Sequence, residues 1–506
     1  LTGQNLVLDA KLDFPTTMMG LFGIEKMTIT AKSEIAFAAR PLELTMVMDT
    51  TGSMASNNKL TGAKEAARKL LDVLYGGTLA SKPDSEFIRV ALVPFAGGVR
   101  LNPSAFDFSP TWIDTTGANP LSTMNFQGTG ANSNWNNFTA WGMMKKNSNY
   151  MSWTGCVEAR KHGAKSSNLD YHVNDVAPTL ADPDSLFPAY FAPDAPSSNT
   201  ITTSNSSGSN GNGNNGKGKG NGNGNGNGGS GGSGGSGGTT TTGTSNWTNN
   251  YGPDYIKGYS LTTAGSECNG LTAAQCTGTS DTVLFERQRN YQKYQDADLT
   301  GVSDTPDTNC AVSKVVPMTY SRQKIDAGIS AMQASGNTLI AEGLAWGLRT
   351  ISPGQPFTKV EASGNNAAST IAPYDGPRWR KIMVLMTDGD NFMNAGGFDL
   401  NDTAYSAYGY GSTPIANNRF ATTTSSQIAS AMDTAMLDAC ARIKGHGIDL
   451  YVTSFGDGVS TASRNRLKAC SSGEEYYTHA ATTTALVAFF DHIGKDVLNK
   501  SIYVAK

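Results

Sequence analysis

Outside one long interruption, the chain alternates between short apolar runs and longer stretches whose apolar residues recur at helical spacing. The run 42–48 reads as a strand buried on both faces of a sheet. Over 59–75, Leu60, Ala63, Ala67, Leu70, Leu71 and Leu74 recur every few positions, which predicts a helix with one apolar face. A second strand is expected at 87–95. Beyond the interruption come helices over 321–332 and 339–351, separated by Ser335-Gly336-Asn337. A strand follows at 381–387, then a helix at 427–443 that stops at Gly445, a strand at 448–455, a helix at 460–469, a short strand at 476–478 and a closing helix at 484–498. This rhythm predicts an α/β fold: a doubly wound, mostly parallel sheet covered on both faces. Weak alternation over 14–38 predicts a small strand pair within an N-terminal segment, 1–40.

The interruption, 101–320, is read as a long irregular insertion. Its centre, 195–250, is almost wholly Ser, Thr, Asn and Gly, with Lys217 and Lys219 as its only charges. Such a segment has no apolar surface to offset the entropy of ordering, so it is expected to be a flexible tether. The flanks, 101–194 and 251–309, are rich in Trp, Tyr, Asn and Pro and show little periodicity. The aromatic residues Trp135, Trp141, Tyr150 and Trp153 are read as a packed core of the insertion in preference to a glycan-binding surface.

Of 506 residues, 16% are charged and the net charge is −3, with no basic cluster, which gives no electrostatic case for nucleic acid. Six cysteines, at 156, 268, 276, 310, 440 and 470, form no CxxC pair; their even number and wide spacing suit disulfides in an oxidising compartment. Placement suggests Cys440 with Cys470, Cys156 with Cys310 across the base of the insertion, and Cys268 with Cys276 around a short loop. No run of 18 apolar residues is present. The chain opens on Leu1, so an upstream anchor or signal is expected to have been removed or left out.

In open parallel sheets ligands collect beyond the carboxyl ends of the strands. The first strand ends in Asp49-Thr50-Thr51-Gly52-Ser53, the strand at 381–387 in Asp388-Gly389-Asp390, and the loop between the two helices offers Thr338. Positions 49, 51 and 53 can turn toward one point as the chain leaves the strand. Hydroxyls (Thr51, Ser53, Thr338) and carboxylates (Asp49, Asp388) form an all-oxygen donor set that suits a hard cation such as magnesium. Either motif alone is more simply a helix cap or a turn; their joint presence in this order favours a metal site. Ser56-Asn57-Asn58-Lys59 fits the SxxK of penicillin-binding enzymes, but no SDN or KTG partner follows, and chance is the better reading. The histidines 162, 172, 446, 479 and 492 show no ligand or triad grouping.

The sequence MVMDTTGSM (46–54) resembles the metal-ion-dependent adhesion site of von Willebrand A domains, whose usual pattern is Asp-x-Ser-x-Ser. Thr51 stands where the first serine is usual, and Thr338 and Asp388 match the family's later threonine and aspartate. The segments WTGCVEAR (153–160), GNTLIAEGLAWG (336–347), ISPGQPF (351–357), LMTDGDN (385–391) and CSSGEEYY (470–477) are similar to the TadG-like proteins of bacterial Tad (Flp) pilus systems. The resemblance covers about two thirds of the chain and excludes the tether. It implies a von Willebrand A (Rossmann-like) domain in two parts, 41–100 and 321–500. It also implies Mg2+ (or Mn2+) bound by Thr51, Ser53 and Thr338, directly or through water, with Asp49 and Asp388 holding coordinated waters. Family members normally carry an amino-terminal membrane helix, which this sequence does not contain.

The function expected is non-enzymatic: a cation-dependent adhesion or assembly protein at the cell surface or in the periplasm. Its partners would be proteins or surface ligands offering a carboxylate, pilus components among them. The alternatives are an envelope scaffold whose metal only stabilises the fold, and a metal-dependent hydrolase. Against the latter, no general base of the usual kind accompanies the site. The insertion is expected to lie near the metal edge.

Overall fold

Every residue of Leu42–Asp49 and of Ile88–Phe95 is buried, as strands inside a doubly covered sheet require. The computed structural model describes residues 4–16, 19–23, 26–126, 135–161, 172–194, 289–302, 305–376, 378–393, 404–410, 425–500 and 502–505. The longer strands are β1 (Gln4–Pro15), β2 (Lys26–Ala39), β3 (Leu42–Asp49), β4 (Ile88–Phe95), β5 (Val316–Thr319), β6 (Arg380–Thr387), β7 (Asp449–Phe455), β8 (Tyr477–Ala480) and β9 (Ile502–Ala505). The longer helices are α1 (Lys59–Tyr75), α2 (Arg322–Ala331), α3 (Ile340–Ile351), α4 (Ser425–Gly445), α5 (Thr461–Cys470) and α6 (Thr483–Lys500).

Six strands form one sheet in the order β5-β4-β3-β6-β7-β8. All neighbours run parallel except β5, which is antiparallel to β4. Alternate residues of the central strands enter two separate cores. Leu44, Met46, Met48, Val90, Leu92, Val384 and Met386 pack with α1, α2 and α6. Val47, Ala91, Val93, Phe95, Met383 and Leu385 pack with α3, α4 and α5. This is the period-2 signature of a sheet covered on both sides. Every residue of α3 is buried, which explains why its sequence is apolar nearly all round.

The expected α/β architecture is therefore what the structure shows, with two differences. Val316–Thr319 falls in the stretch read as insertion, yet it is the antiparallel edge of the sheet. Its four residues include Pro317, which weakens any strand signal but is tolerated at an edge. The pair ahead of the domain is longer than 14–38, with β1 and β2 antiparallel over Gln4–Phe37 to Pro15–Lys26, and β9 adds a third strand beside β2.

The described parts of the insertion reach from the carboxyl end of the sheet, where the Ala311 N–H donates to Gly98 O, along α3 to its far end, where Ser352 donates to Asp175. Trp141 is buried with Phe191 and Tyr294, Trp135 stacks on Tyr291 at 4.0 Å between ring centroids, and Trp153 packs on Phe108 and Phe138. Of the four aromatic residues singled out by sequence, Tyr150 alone is largely exposed. Disulfides join Cys156 to Cys310 and Cys440 to Cys470. Cys268, Cys276, His162 and the tether at 195–250 lie outside the described residues. Among the described residues, no helix is long and apolar enough to cross a membrane.

Candidate metal centre

The strand order reverses between β3 and β6: from β3 the chain steps outward to β4, then crosses over to build β6, β7 and β8 on the other side. A reversal of this kind opens a crevice at the carboxyl ends of the two central strands. Asp49 ends β3, and Asp388 follows β6 directly, so both carboxylates stand at that crevice.

Asp49 is fully buried and held from two sides. The Thr51 N–H donates to Oδ1 at 2.8 Å, and the Thr387 hydroxyl donates to Oδ2 at 2.7 Å. Burial, followed by repulsion from Asp388, raises its pKa from 3.8 to about 6 despite these bonds. Thr51 Oγ1 and Ser53 Oγ lie 3.0 Å apart, and Ser53 donates to Asp388 Oδ1 at 2.6 Å. Thr51 and Asp388 are buried while Gly52 and Ser53 are exposed, so the carboxylates form a floor beneath a rim open to solvent.

Backbone pairing brings in the third segment. The Gly52 N–H donates to Gly336 O at 2.9 Å, and the Ser335 N–H donates to Thr50 O at 2.8 Å. Thr338 exchanges two backbone bonds with Phe392, each 2.9 Å, four residues beyond Asp388. Asn391 accepts from the Ile340 N–H through Oδ1 at 3.0 Å and donates to Asp433 at 3.0 Å, fixing the loop after β6 to α3 and α4. Asp390 on the same loop faces Arg466; burial and then the nearby Asp433 hold its pKa above the usual range against that cation. Gly336 is left-handed (φ +79°), and a side chain there would sit 2.5 Å from the Asn309 carbonyl. The end of the insertion is thus packed directly against the loop that carries Thr338.

The structure brings Asp49, Thr51, Ser53 and Asp388 into one hydrogen-bonded group and seats Thr338 beside it through the backbone. The donor set fits a hard divalent cation: two carboxylates among hydroxyls. Among the described residues, no cluster of three or more His, Cys, Asp or Glu side chains offers a site of another kind. Three histidines have ordinary structural partners: His172 bonds Tyr408, His479 bonds Ser454, and His446 stacks on Tyr374.

Two members of the group were not singled out from sequence. Thr387 precedes Asp388 and supports Asp49. Lys59, dismissed with the SxxK match, donates to Asp388 Oδ2 at 2.7 Å. One signal was available for it. A lysine as the first residue of a helix opposes the helix dipole, which suggests that its charge is needed elsewhere.

Fold and site together define an α/β sheet protein with a hydroxyl–carboxylate pocket at its switch point. No protein-family profile matches the chain, and no curated protein does. Among solved structures, it is similar to the vWF domain of the type V pili tip protein Mfa5 from Porphyromonas gingivalis, at 10% identity and a TM-score of 0.33, over 93% of this chain and 98% of that one. It is also similar to the open conformation of the pilus adhesin SpaC from Lactobacillus rhamnosus GG, at 9% identity and a TM-score of 0.32, over 93% of this chain and 32% of that one. The chain thus spans about a third of SpaC. Proximal thread matrix protein 1 from the mussel byssus, solved with a zinc-occupied MIDAS motif, is similar at 19% identity and a TM-score of 0.20, over 35% of this chain and 31% of that one. All three scores lie below 0.5, so the site's own residues carry the functional reading.

Proposed function

We propose that this chain is a non-enzymatic, cation-dependent binding protein of von Willebrand A type, acting in adhesion or assembly at a bacterial envelope or a Tad-type pilus. The observation that carries the reading is the 2.6 Å bond from Ser53 to Asp388, which joins residues 335 positions apart at the point where strand order reverses. In this reading Thr51, Ser53 and Thr338 are hydroxyl ligands of Mg2+ or Mn2+, and Asp49 and Asp388 hold its waters. A bound divalent cation with an open position supplies the attraction for a carboxylate of a partner. The protein's own part is to hold Asp49 in place by two hydrogen bonds, which oppose the rise in its pKa, and to leave the Gly52–Ser53 side open to an approaching group. The disulfides suit an extracellular or envelope compartment.

Mn2+ binding to the full chain, followed by the loss of the free-ion electron paramagnetic resonance signal, tests the site. Asp49→Ala is expected to abolish binding and to abolish magnesium-dependent retention on a carboxylate-bearing resin, while cooperative unfolding persists. Retention that persists in chelator, or retention of the variant equal to wild type in magnesium, would refute the adhesive reading.

A further inference from the structure

The charges around the pocket do not balance, and the way they fail to balance has a consequence. Asp49 and Asp388 supply two carboxylates, and Lys59 supplies one ammonium, 2.7 Å from Asp388 Oδ2. The Asp388 side chain is fully buried and that of Lys59 is 16% exposed, so the pair is shielded from bulk solvent. Ser53 occupies the other Asp388 oxygen, and Thr51 N–H and Thr387 Oγ1 occupy the two oxygens of Asp49. In this arrangement each carboxylate oxygen of the pocket already has a donor. The arrangement is a closed one, and an incoming cation must compete with it.

The position of Lys59 is set by the backbone on both sides of it. Asn57 and Asn58 are both left-handed (φ 54° and 55°), a turn that asparagine tolerates better than most residues. This turn starts α1 with Lys59 directly over the pocket. On the far side, Gly456 after β7 is left-handed (φ +91°), and a side chain there would stand 3.1 Å from Lys59 Cε. The lysine stem therefore runs through a gap that a larger residue would narrow.

We propose that Lys59 is a tethered counter-cation that competes with the divalent ion for Asp388 and so sets the affinity of the pocket. This rests on the metal reading of the site given above. With Lys59 in place, the empty pocket carries one net negative charge and is stable without metal. A divalent ion must overcome repulsion from the ammonium and displace or share its bond to Asp388. Once it does, the pocket carries one net positive charge, which attracts an anionic group of a partner. The lysine thus weakens metal binding and strengthens the response to a carboxylate. The site fills only where the divalent ion is abundant.

Mn2+ titrations of the full chain, with Lys59→Met and Lys59→Arg beside wild type, test this. Lys59→Met should bind Mn2+ roughly tenfold or more tightly, since a like charge next to the ion is gone, and Lys59→Arg should match wild type. In chelator, Lys59→Met should unfold at lower temperature than wild type, because Asp388 has lost its cation. Added Mn2+ should reverse that order. Should Lys59→Met not fold in chelator, its rescue by Mn2+ reads the same competition. Mn2+ affinity in Lys59→Met equal to that of a metal-binding wild type overturns the role of Lys59 alone. No Mn2+ binding in any of the three proteins overturns the metal site itself.

Discussion

Strand β3 carries a buried carboxylate at each end, and the two ends are built on opposite charge balances. Near its start, Glu43 accepts from Arg89 at 2.8 Å, from Lys381, and from the Ala372 N–H at 3.0 Å. Arg89 is further bound to Tyr320 and Thr370 and lies 3.5 Å over the Trp379 ring, and Lys381 also donates to Ile351 O. One carboxylate there faces two cations. At the other end two carboxylates, Asp49 and Asp388, face the single cation Lys59. Both ends are buried and hydrogen-bonded, so burial alone does not separate a charge cluster that is complete in itself from one with room for a further cation. The ratio of counter-charges does. An excess of cations satisfies Glu43 and leaves no reason for an added ligand, whereas an excess of carboxylates around hydroxyls leaves the pocket one positive charge short.

The strongest test of this contrast is at Glu43. Glu43→Gln removes the carboxylate that Arg89 and Lys381 share and leaves two buried cations unpaired. Burial and then Arg89 already hold the Lys381 pKa below its usual range, with Glu43 opposing them. Breaking a buried pair of this kind costs about 3–5 kcal/mol, so urea unfolding should show a loss of that order. The loss should be the same with and without magnesium. A variant whose stability recovered on adding metal would show that the two ends are coupled.

At the opposite end the pH response should have the reverse sign to that of most paired carboxylates. Asp49 has a folded pKa of about 6 against 3.8 for the free group. Below the lower value it is protonated whether folded or unfolded and contributes nothing. Between the two values the folded state holds the proton more tightly, and above about pH 6 the ionised group carries its full penalty. Metal-free protein should therefore gain stability from this residue as pH falls from 7 toward 4, by a total on the order of 3 kcal/mol. The measurement is unfolding in chelator across that range, with Asp49→Asn subtracted. An unchanged difference between the two proteins would show that burial and the nearby Asp388 do not penalise the ionised form of Asp49.

Added magnesium should stabilise the wild-type chain by about 2.7 kcal/mol at a hundred times its dissociation constant. The gain should shrink below pH 6, where Asp49 takes up the competing proton. Combining Thr51→Val with Ser53→Ala removes two hydroxyl donors and should abolish most of the gain, at a cost of about 1–3 kcal/mol in chelator because buried Asp388 loses the Ser53 hydrogen bond. Thermal unfolding with and without magnesium checks both statements.

Much of this contrast could be read from sequence, but unevenly. The buried runs at β3 and β6 and the oxygen-bearing residues after them are adjacent in the chain, so period and motif reveal them together. Lys59 lies ten residues from Asp49 and 329 from Asp388. Its role depends on a left-handed turn at Asn57 and Asn58 that no hydrophobic pattern encodes. The Glu43 cluster was invisible for a related reason. Glu43 interrupts an apolar strand, and its partners at 89 and 381 become neighbours only through the parallel registers Glu43↔Arg89 and Lys381↔Glu43. Likewise the edge strand at 316–319 owes its place to pairing with β4, since its four residues carry too short a pattern to mark it.

The smallest expected effect concerns the rim. Phe392 is 54% exposed, yet its backbone exchanges two bonds with Thr338 and thereby seats that residue beside the pocket. If backbone pairing alone positions Thr338, the Phe392 side chain is dispensable for the metal. Phe392→Ala should then change stability by less than about 0.5 kcal/mol, as exposed substitutions do, and leave Mn2+ affinity within about twofold, a difference under the 1.4 kcal/mol that separates tenfold steps. A larger loss of Mn2+ affinity at unchanged stability would show that the exposed ring holds the 338–392 pair in place. The carboxyl end would then depend on a surface side chain, whereas the Glu43 end draws its support from the protein interior.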